Sequence, residues 1–234
     1  MADVSALELM RIHLDALYTH DANGRMSHVN EPRGPRAPRV FLGRTAAGHE
    51  LRWRADVPEV TVALLREWIE REPCTLPLAQ RPHCGDAIVS ALARDAPVQR
   101  IWSGPAYWVD VEGLPPAPLA VRVTRANADL LRTFPDWRDE VDERQPFVVS
   151  VENGAAVALC SSVRITPAAH AAGVETLPAE RRRGMASQAV AAWARAVDEL
   201  GAIALYSTSW DNLASQAVAR RLGMKLIGAD FHVT

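Results

Sequence analysis

The stretch Val174 to Leu200, VETLPAERRRGMASQAVAAWARAVDEL, constrains the chain more than any other, because it joins an apolar strand to a long amphipathic helix through a basic turn with one glycine. From Ala186 the apolar side chains fall at Ala186, Ala189, Val190, Trp193, Val197 and Leu200, the spacing of a helix with one buried stripe. Gly201 is placed to end that helix. The turn Arg181, Arg182, Arg183, Gly184, Met185, Ala186 gathers free N–H groups and the positive end of the helix dipole beside three arginines, which predicts an anion site. Gly184 and Ala186 carry too little side chain to keep a diphosphate off the backbone amides.

The 234 residues suffice for two domains of roughly 100 to 130 residues each. Apolar residues make up 48%, charged residues 23%, and the net charge is −2, the balance of an ordinary globular protein rather than a nucleic-acid binder. No apolar run approaches the ~20 residues that span a bilayer, and MADVSALELM lacks the features of a signal peptide, so the reading is cytoplasmic with no membrane partner. Cys74, Cys84 and Cys160 share no C-x-x-C spacing and are read as reduced thiols. Cys74, His83 and Cys84 fit no common zinc spacing, so no metal is expected. Lys225 is the sole lysine among 26 basic residues. Arginine is thus the default cation here, and an arginine cluster carries less meaning than it would elsewhere.

Along the chain, Leu7, Met10, Leu14 and Leu17 predict a first helix, and Asp21 to Gly24 a turn. The proline-rich, arginine-rich loop Glu31 to Arg39 is read as solvated. Arg39–Thr45 and Glu50–Val57 flank a hairpin turn, with Leu51, Trp53, Ala55 and Val57 on one face of the second arm. A helix with Pro58 at its first position and a second helix near Asp86–Arg94 follow, then a strand in Ile101–Val111. Gly113 to Pro118 is the predicted domain boundary, giving residues 1–112 and 113–234. Beyond it lie a strand at Leu119–Val123, a short helix capped by Thr124 or Asn127, a helical piece over Asp136–Asp142, and strands Phe147–Val151 and Ala155–Ile165 joined through Asn153-Gly154. Then come a strand ending at Thr176, the basic turn and its helix, strand Ile203–Ser207, a helix capped by Asp211 or Asn212 and ending at Gly223, and strand Lys225–Val233.

Val174-x-Thr176-x-Pro178-x-x-Arg181-x-x-Gly184-x-Ala186, followed by Asn212-x-x-Ser215 and Leu222-Gly223-Met224, resembles the GNAT acyltransferases. The resemblance spans about Leu119 to Thr234, and within it Tyr206 to Met224 resembles bacterial members with an N-terminal extension. It implies an α+β fold with a mixed sheet and an acetyl-CoA-dependent N-acetyltransferase. Acetyl-CoA would be the cosubstrate, and the acceptor an amine of a small molecule or peptide. The protein is expected to be a monomer or homodimer, with no nucleic acid as partner. Residues 1–112, an α+β domain, would shape the acceptor side. The implied cofactor contacts are Val174, Thr176, Arg181 to Ala186, Asn212 and Ser215, with the pyrophosphate on the turn's backbone amides.

Acetyl transfer to an amine needs a proton acceptor for the nucleophile, stabilisation of the tetrahedral oxyanion, and a proton for the departing thiolate. Amides of the 174–176 strand are candidates for the oxyanion. His170, where some family members place a glutamate, and Glu175 are the candidate bases. Where many members carry a tyrosine seven residues after the asparagine, this chain has Ala219, leaving Ser215, Ser209 or Tyr206 as substitutes for the acid. That departure motivates a rival reading, a catalytically impaired CoA-binding sensor or interaction module.

Overall fold

The computed structural model describes residues 4–75 and 77–234. The first part of the chain carries α1 (Ala6–Leu17), β1 (Tyr18–His20), β2 (Met26–Val29), β3 (Val40–Thr45) and β4 (Gly48–Trp53). There follow α2 (Glu59–Glu70), α3 (Gly85–Asp95), β5 (Ile101–Trp108) and β6 (Ala120–Arg122). A 3-10 segment at Arg125–Thr133 and a short α4 (Pro135–Arg138) precede β7 (Phe147–Glu152), β8 (Ala155–Ile165) and β9 (Ala169–Thr176). The last elements are α5 (Met185–Asp198), β10 (Ile203–Ser207), α6 (Leu213–Arg221) and β11 (Lys225–Val233). The described residues form two compact units. One runs to Tyr107 and includes Ser207–Asn212 and Leu226–Thr234; the other is Trp108–Tyr206 with Leu213–Lys225.

In the first unit the strands lie in the order β4-β3-β11-β5, with β1 and β2 forming a separate antiparallel ribbon. The hairpin expected around residues 46–49 is β3 and β4, paired from Val40 opposite Trp53 to Thr45 opposite Gly48. Val40, Leu42, Val62, Leu65, Ile88, Leu92, Phe231 and Val233 make the core between this sheet and α2 and α3. Ser5 caps α1 by accepting the Glu8 N–H, and the buried stripe is centred on Met10 and Leu14, with His13 inside it. Pro58 is the residue before α2 rather than its first helical one. The loop at residues 31–39 is irregular as expected, yet Arg39 is not solvated. Its guanidinium is buried and donates to the carbonyls of Leu92, Ala96 and Pro97 at and just beyond the end of α3.

In the second unit the order is β10-β9-β8-β7-β6, antiparallel throughout except for β9 beside β10. This mixed sheet with helices on both faces is the α+β architecture expected from the sequence. On one face lies α5, where the Ser150 hydroxyl donates to the Met185 carbonyl (2.8 Å) and the Trp193 indole N–H donates to Ser162 Oγ (3.1 Å). On the other, Leu131, Phe134 and Val141 pack on Phe147, Val149 and Leu159. The helix expected after Thr124 is 3-10, broken where Asn127 leaves helical geometry (φ −128°) with its side-chain carbonyl bound to the Thr124 N–H. The helical piece expected over 136–142 is only the four residues of α4, begun by Pro135. The two later helices end as their glycines predict: Gly201 and Gly223 take positive φ, and Ala202 and Met224 N–H groups fold back onto Val197 and Ala219. Among the described residues no helix is long and apolar enough to cross a membrane.

Candidate functional site

Strand β9 has two strand neighbours along its first half and one along its second. Against β8 it pairs from His170 to Thr176, whereas among the described residues it pairs with β10 only at Ala169, His170 and Ala171. Two hydrogen bonds set the direction of its backbone groups. Ile203 N–H donates to the Ala168 carbonyl (2.9 Å), and Leu177 N–H donates to the Val157 carbonyl (3.0 Å). By the alternation of a strand, even-numbered residues turn their N–H and C=O toward the β10 side and odd-numbered ones toward β8. Beyond Ala172, the last residue that the Leu205 pairing engages, the groups of Val174 and Thr176 therefore face an edge that β10 has left.

The side chains alternate between the two faces. Val174 lies opposite Cys160 and Thr176 opposite Ala158 on the face of α5, while Glu175 lies opposite Leu159 on the face of α4. There the Trp137 indole N–H donates to Glu175 Oε2 at 2.6 Å. Gly173 has no room for a side chain: a Cβ would stand 2.1 Å from Val163 Cγ1 and 3.3 Å from Trp137 Cη2. The exposed Glu175 carboxylate is thus oriented by a ring packed over the preceding glycine.

Downstream of this edge, the turn enters α5 through two left-handed residues, Arg182 (φ 63°) and Gly184 (φ 84°). The first helical hydrogen bond runs from Gln188 N–H to the Gly184 carbonyl, so the amides of Met185, Ala186 and Ser187 precede the helical ladder at its positive end. The three arginines behave differently. Arg181 and Arg182 are exposed. Arg183 is held by both oxygens of Glu152 (2.7 and 2.9 Å) and by Glu180, and these carboxylates raise its pKa. Its guanidinium neutralises carboxylates rather than facing an anion.

His170 lies inside the unit, with its Nδ1 bonded to Ser162 Oγ (2.9 Å), the same oxygen that accepts the Trp193 indole N–H. Burial lowers its pKa and favours the neutral ring. Beyond the last paired residue, Leu205, comes Tyr206, whose ring is buried and whose hydroxyl meets Ser215 Oγ on α6 at 2.5 Å. Ser215 thus sits where β9 and β10 part. Asn212 belongs to the first unit, exposed, with its N–H donating to the Ser209 carbonyl (3.2 Å). Of the cysteine group, Cys84 is buried and its amide and that of His83 donate to Glu72. Burial and Glu72 push the Cys84 thiol up to about 12. Among the described residues no three His, Cys, Asp or Glu side chains are grouped to hold a metal.

Residues 120–229, which contain the open edge, the turn and both flanking helices, match the family model of the GNAT acetyltransferases. That match places this part of the chain, a little under half of its length, among the GNAT acetyltransferases. In shape the chain is similar to several solved structures. One is assigned to the GNAT acetyltransferases of Novosphingobium aromaticivorans DSM 12444, at 18% identity over 58% of this chain, with a TM-score of 0.46. This chain spans 65% of that protein, less than two thirds. A GNAT-family acetyltransferase from Colwellia psychrerythraea matches at 12% identity over 83% of this chain and 81% of its own (TM-score 0.49). A GCN5-related N-acetyltransferase from Sphaerobacter thermophilus matches at 15% over 86% and 77% (TM-score 0.49). With TM-scores below 0.5 these likenesses carry no argument about substrate or mechanism. No curated protein matches the chain.

Two residues of this candidate site escape a reading of the sequence. Trp137 sits in a segment whose apolar spacing is too short to assign a face, and only the fold brings it to Glu175. Arg221, in the last turn of α6, brings its guanidinium over Gly184: a Cβ there would lie 2.9 to 3.0 Å from its atoms. Both are separated in sequence from what they meet by tens of positions, and neither belongs to a motif.

Proposed function

We propose that this protein is an acetyl-CoA-dependent N-acetyltransferase that moves an acetyl group directly to an amine of a small molecule or peptide. The observation that carries the proposal is the open edge of β9, because one continuous strand-turn-helix places it just before the Gly184 turn. Free amides of Val174 and Thr176 suit the thioester carbonyl and the oxyanion that develops on it, a role for which preorganised backbone donors need no special side chain. Turn residues Arg181 to Ala186 suit a diphosphate, which a Cβ at position 184 would obstruct. Asn212 and Ser215 complete the proposed cofactor contacts. Glu175 is the better exposed proton acceptor; His170, enclosed and neutral, is the second candidate. The nucleophile's lone pair attacks the carbonyl carbon, its proton passes to the base, and collapse of the tetrahedral intermediate expels the sulfur.

In sequence terms we assign acetyl transfer to residues 113–234 and acceptor recognition to residues 1–112, in a bacterial cytoplasmic protein acting as a monomer or homodimer with no nucleic acid or membrane partner. A thermal-shift comparison of acetyl-CoA, CoA and nucleotides tests the reading. Ligand at 100 times its dissociation constant adds about 2.7 kcal/mol, and no shift with acetyl-CoA sinks it. Buried Ala219, where many relatives of this fold carry a hydroxyl, favours the second reading, a CoA-binding sensor. Tight CoA binding with no thiol release across an amine panel would select the sensor.

A further inference from the structure

Expulsion of the sulfur requires a proton, and the fork between β9 and β10 holds two hydroxyls suited to deliver one. The strands pair through Leu205 opposite Ala171, so Tyr206 occupies the next register step, opposite Ala172, beyond which the edge is open. It shares a face with His170, two residues back on β9, and hence with α5 and Val174. Glu175 stands on the other face, toward α4. The phenol is buried at 3% exposure, and its hydroxyl lies 2.5 Å from Ser215 Oγ, with the Ser215 carbonyl at 3.4 Å. Distances of 2.5 to 3.0 Å belong to full hydroxyl–hydroxyl hydrogen bonds. A buried phenol bound to a less buried serine at a strand fork forms a two-step path for a proton toward that fork.

We infer that Ser215 is the proton donor to the departing sulfur and that Tyr206, donating to Ser215 Oγ, positions it and replaces its proton. This rests on the acetyl-CoA reading. When the carbon–sulfur bond breaks, its electron pair stays on sulfur, which takes the Ser215 proton; the phenol proton moves to Ser215 Oγ, and the phenolate regains a proton from solvent. The proton lost by the amine leaves on the opposite face, through Glu175, so the two transfers do not compete for one group. The pair also accounts for a site that carries Ala219, which is 1% exposed and has no hydroxyl to offer.

The test uses the full chain and follows thiol release from acetyl-CoA with hydroxylamine, a nucleophile small enough to need no acceptor subsite, after subtraction of the uncatalysed rate. Ser215→Ala and Tyr206→Phe should each lower kcat by about 10²-fold or more, with KM for acetyl-CoA and the acetyl-CoA thermal shift unchanged in Tyr206→Phe, whose side chain is not among the proposed cofactor contacts, and moved far less than kcat in Ser215→Ala. Ser215→Thr should recover most of the loss, and the double variant should be no slower than the worse single one, as expected of groups acting as a unit. Retention of the native kcat in Ser215→Ala or Tyr206→Phe overturns the inference. So does a loss of kcat in Tyr206→Phe accompanied by an equal rise in KM or a lost thermal shift, since that marks a packing role. A native chain that shifts with acetyl-CoA but releases no thiol overturns the inference and leaves the sensor; one that does not shift at all overturns the acetyl-CoA reading beneath it.

Discussion

The two compact units treat charge in opposite ways. In the first, charged groups are enclosed and matched internally. Asp230 is buried against His13 (2.9 Å), Glu50 is held by Arg11 and Arg52, and the buried guanidiniums of Arg39 and Arg44 meet backbone carbonyls. In the second, Arg181, Arg182, Glu175 and Arg221 are exposed around a helix N-terminus and a strand edge whose backbone groups have left their neighbour. A charge satisfied inside a unit organises that interior and is closed to a ligand, whereas a charge beside unpaired amides remains open to one. Substitutions in the first set should therefore move stability, and substitutions in the second should move ligand binding.

The largest effect tests the enclosed side. Asp230→Ala removes the acceptor that faces the fully buried His13, and loss of one partner from a buried pair costs about 3 to 5 kcal/mol. Urea unfolding should show that loss through a lower midpoint, while folded protein keeps its acetyl-CoA shift. A cost below about 1 kcal/mol would mean that enclosure of the pair adds little.

Next in size is Gly184→Val, on the open side. At φ 84° a β-branched residue is strained, and its side chain would meet the Arg221 guanidinium and cover the amides of the turn. The acetyl-CoA shift of about 2.7 kcal/mol at 100-fold saturation should disappear. Differential scanning fluorimetry with and without ligand separates this from the strain, which lowers both melting curves alike. Undiminished binding would remove the turn from the site.

The pH dependence sharpens the contrast between the two buried groups. Asp230 is held down to about 2, against the cost of burial, by His13 and His232. A carboxylate depressed in the folded state contributes stability above its ordinary value near ~4, and that contribution is lost as pH falls toward about 2. His170 has no carboxylate partner, and burial lowers its pKa from 6.5. The unfolded chain takes up the proton first, so stability falls as pH drops below about 6.5 and continues to fall until the folded pKa is reached. Native protein should therefore weaken in two stages, and His170→Gln should flatten the slope just below pH 6.5 while leaving the acid stage in place. An unchanged slope in that variant would assign the first stage to another group.

What was legible in the sequence follows the same division. Gly184, Arg181 and Ala186 could be read because a local pattern, a periodic helix after a glycine turn, fixes the geometry within a few residues. The β7–β8 and β3–β4 pairs were legible for the same reason, through alternation and turn chemistry. The buried charges were not, because their partners are distant: His13 and Asp230 lie 217 positions apart, and Arg39 and Leu92 lie 53. Leu51 and Trp53 were read as the buried face of β4, but Glu50 is buried between them and the hairpin turn because Arg11 and Arg52 neutralise it there. The β1–β2 ribbon is too short for alternation to register. Of the three turn arginines, only the fold distinguishes Arg183, clamped by Glu152 and Glu180, from its neighbours.

The smallest expected effect concerns Arg221, an exposed residue whose guanidinium covers Gly184 without a carboxylate partner among the described residues. If the backbone amides hold the phosphates, this cation contributes only long-range attraction, which water and salt screen. Arg221→Ala should then weaken acetyl-CoA by about two- to fivefold, less than the tenfold that 1.4 kcal/mol represents, and the difference should shrink as ionic strength rises. Isothermal titration at two salt concentrations measures it. A loss of tenfold or more, insensitive to salt, would move the weight of anion binding from the amides of α5 to the arginine of α6, and would make the exposed side of the molecule depend on a side-chain charge as the enclosed side does.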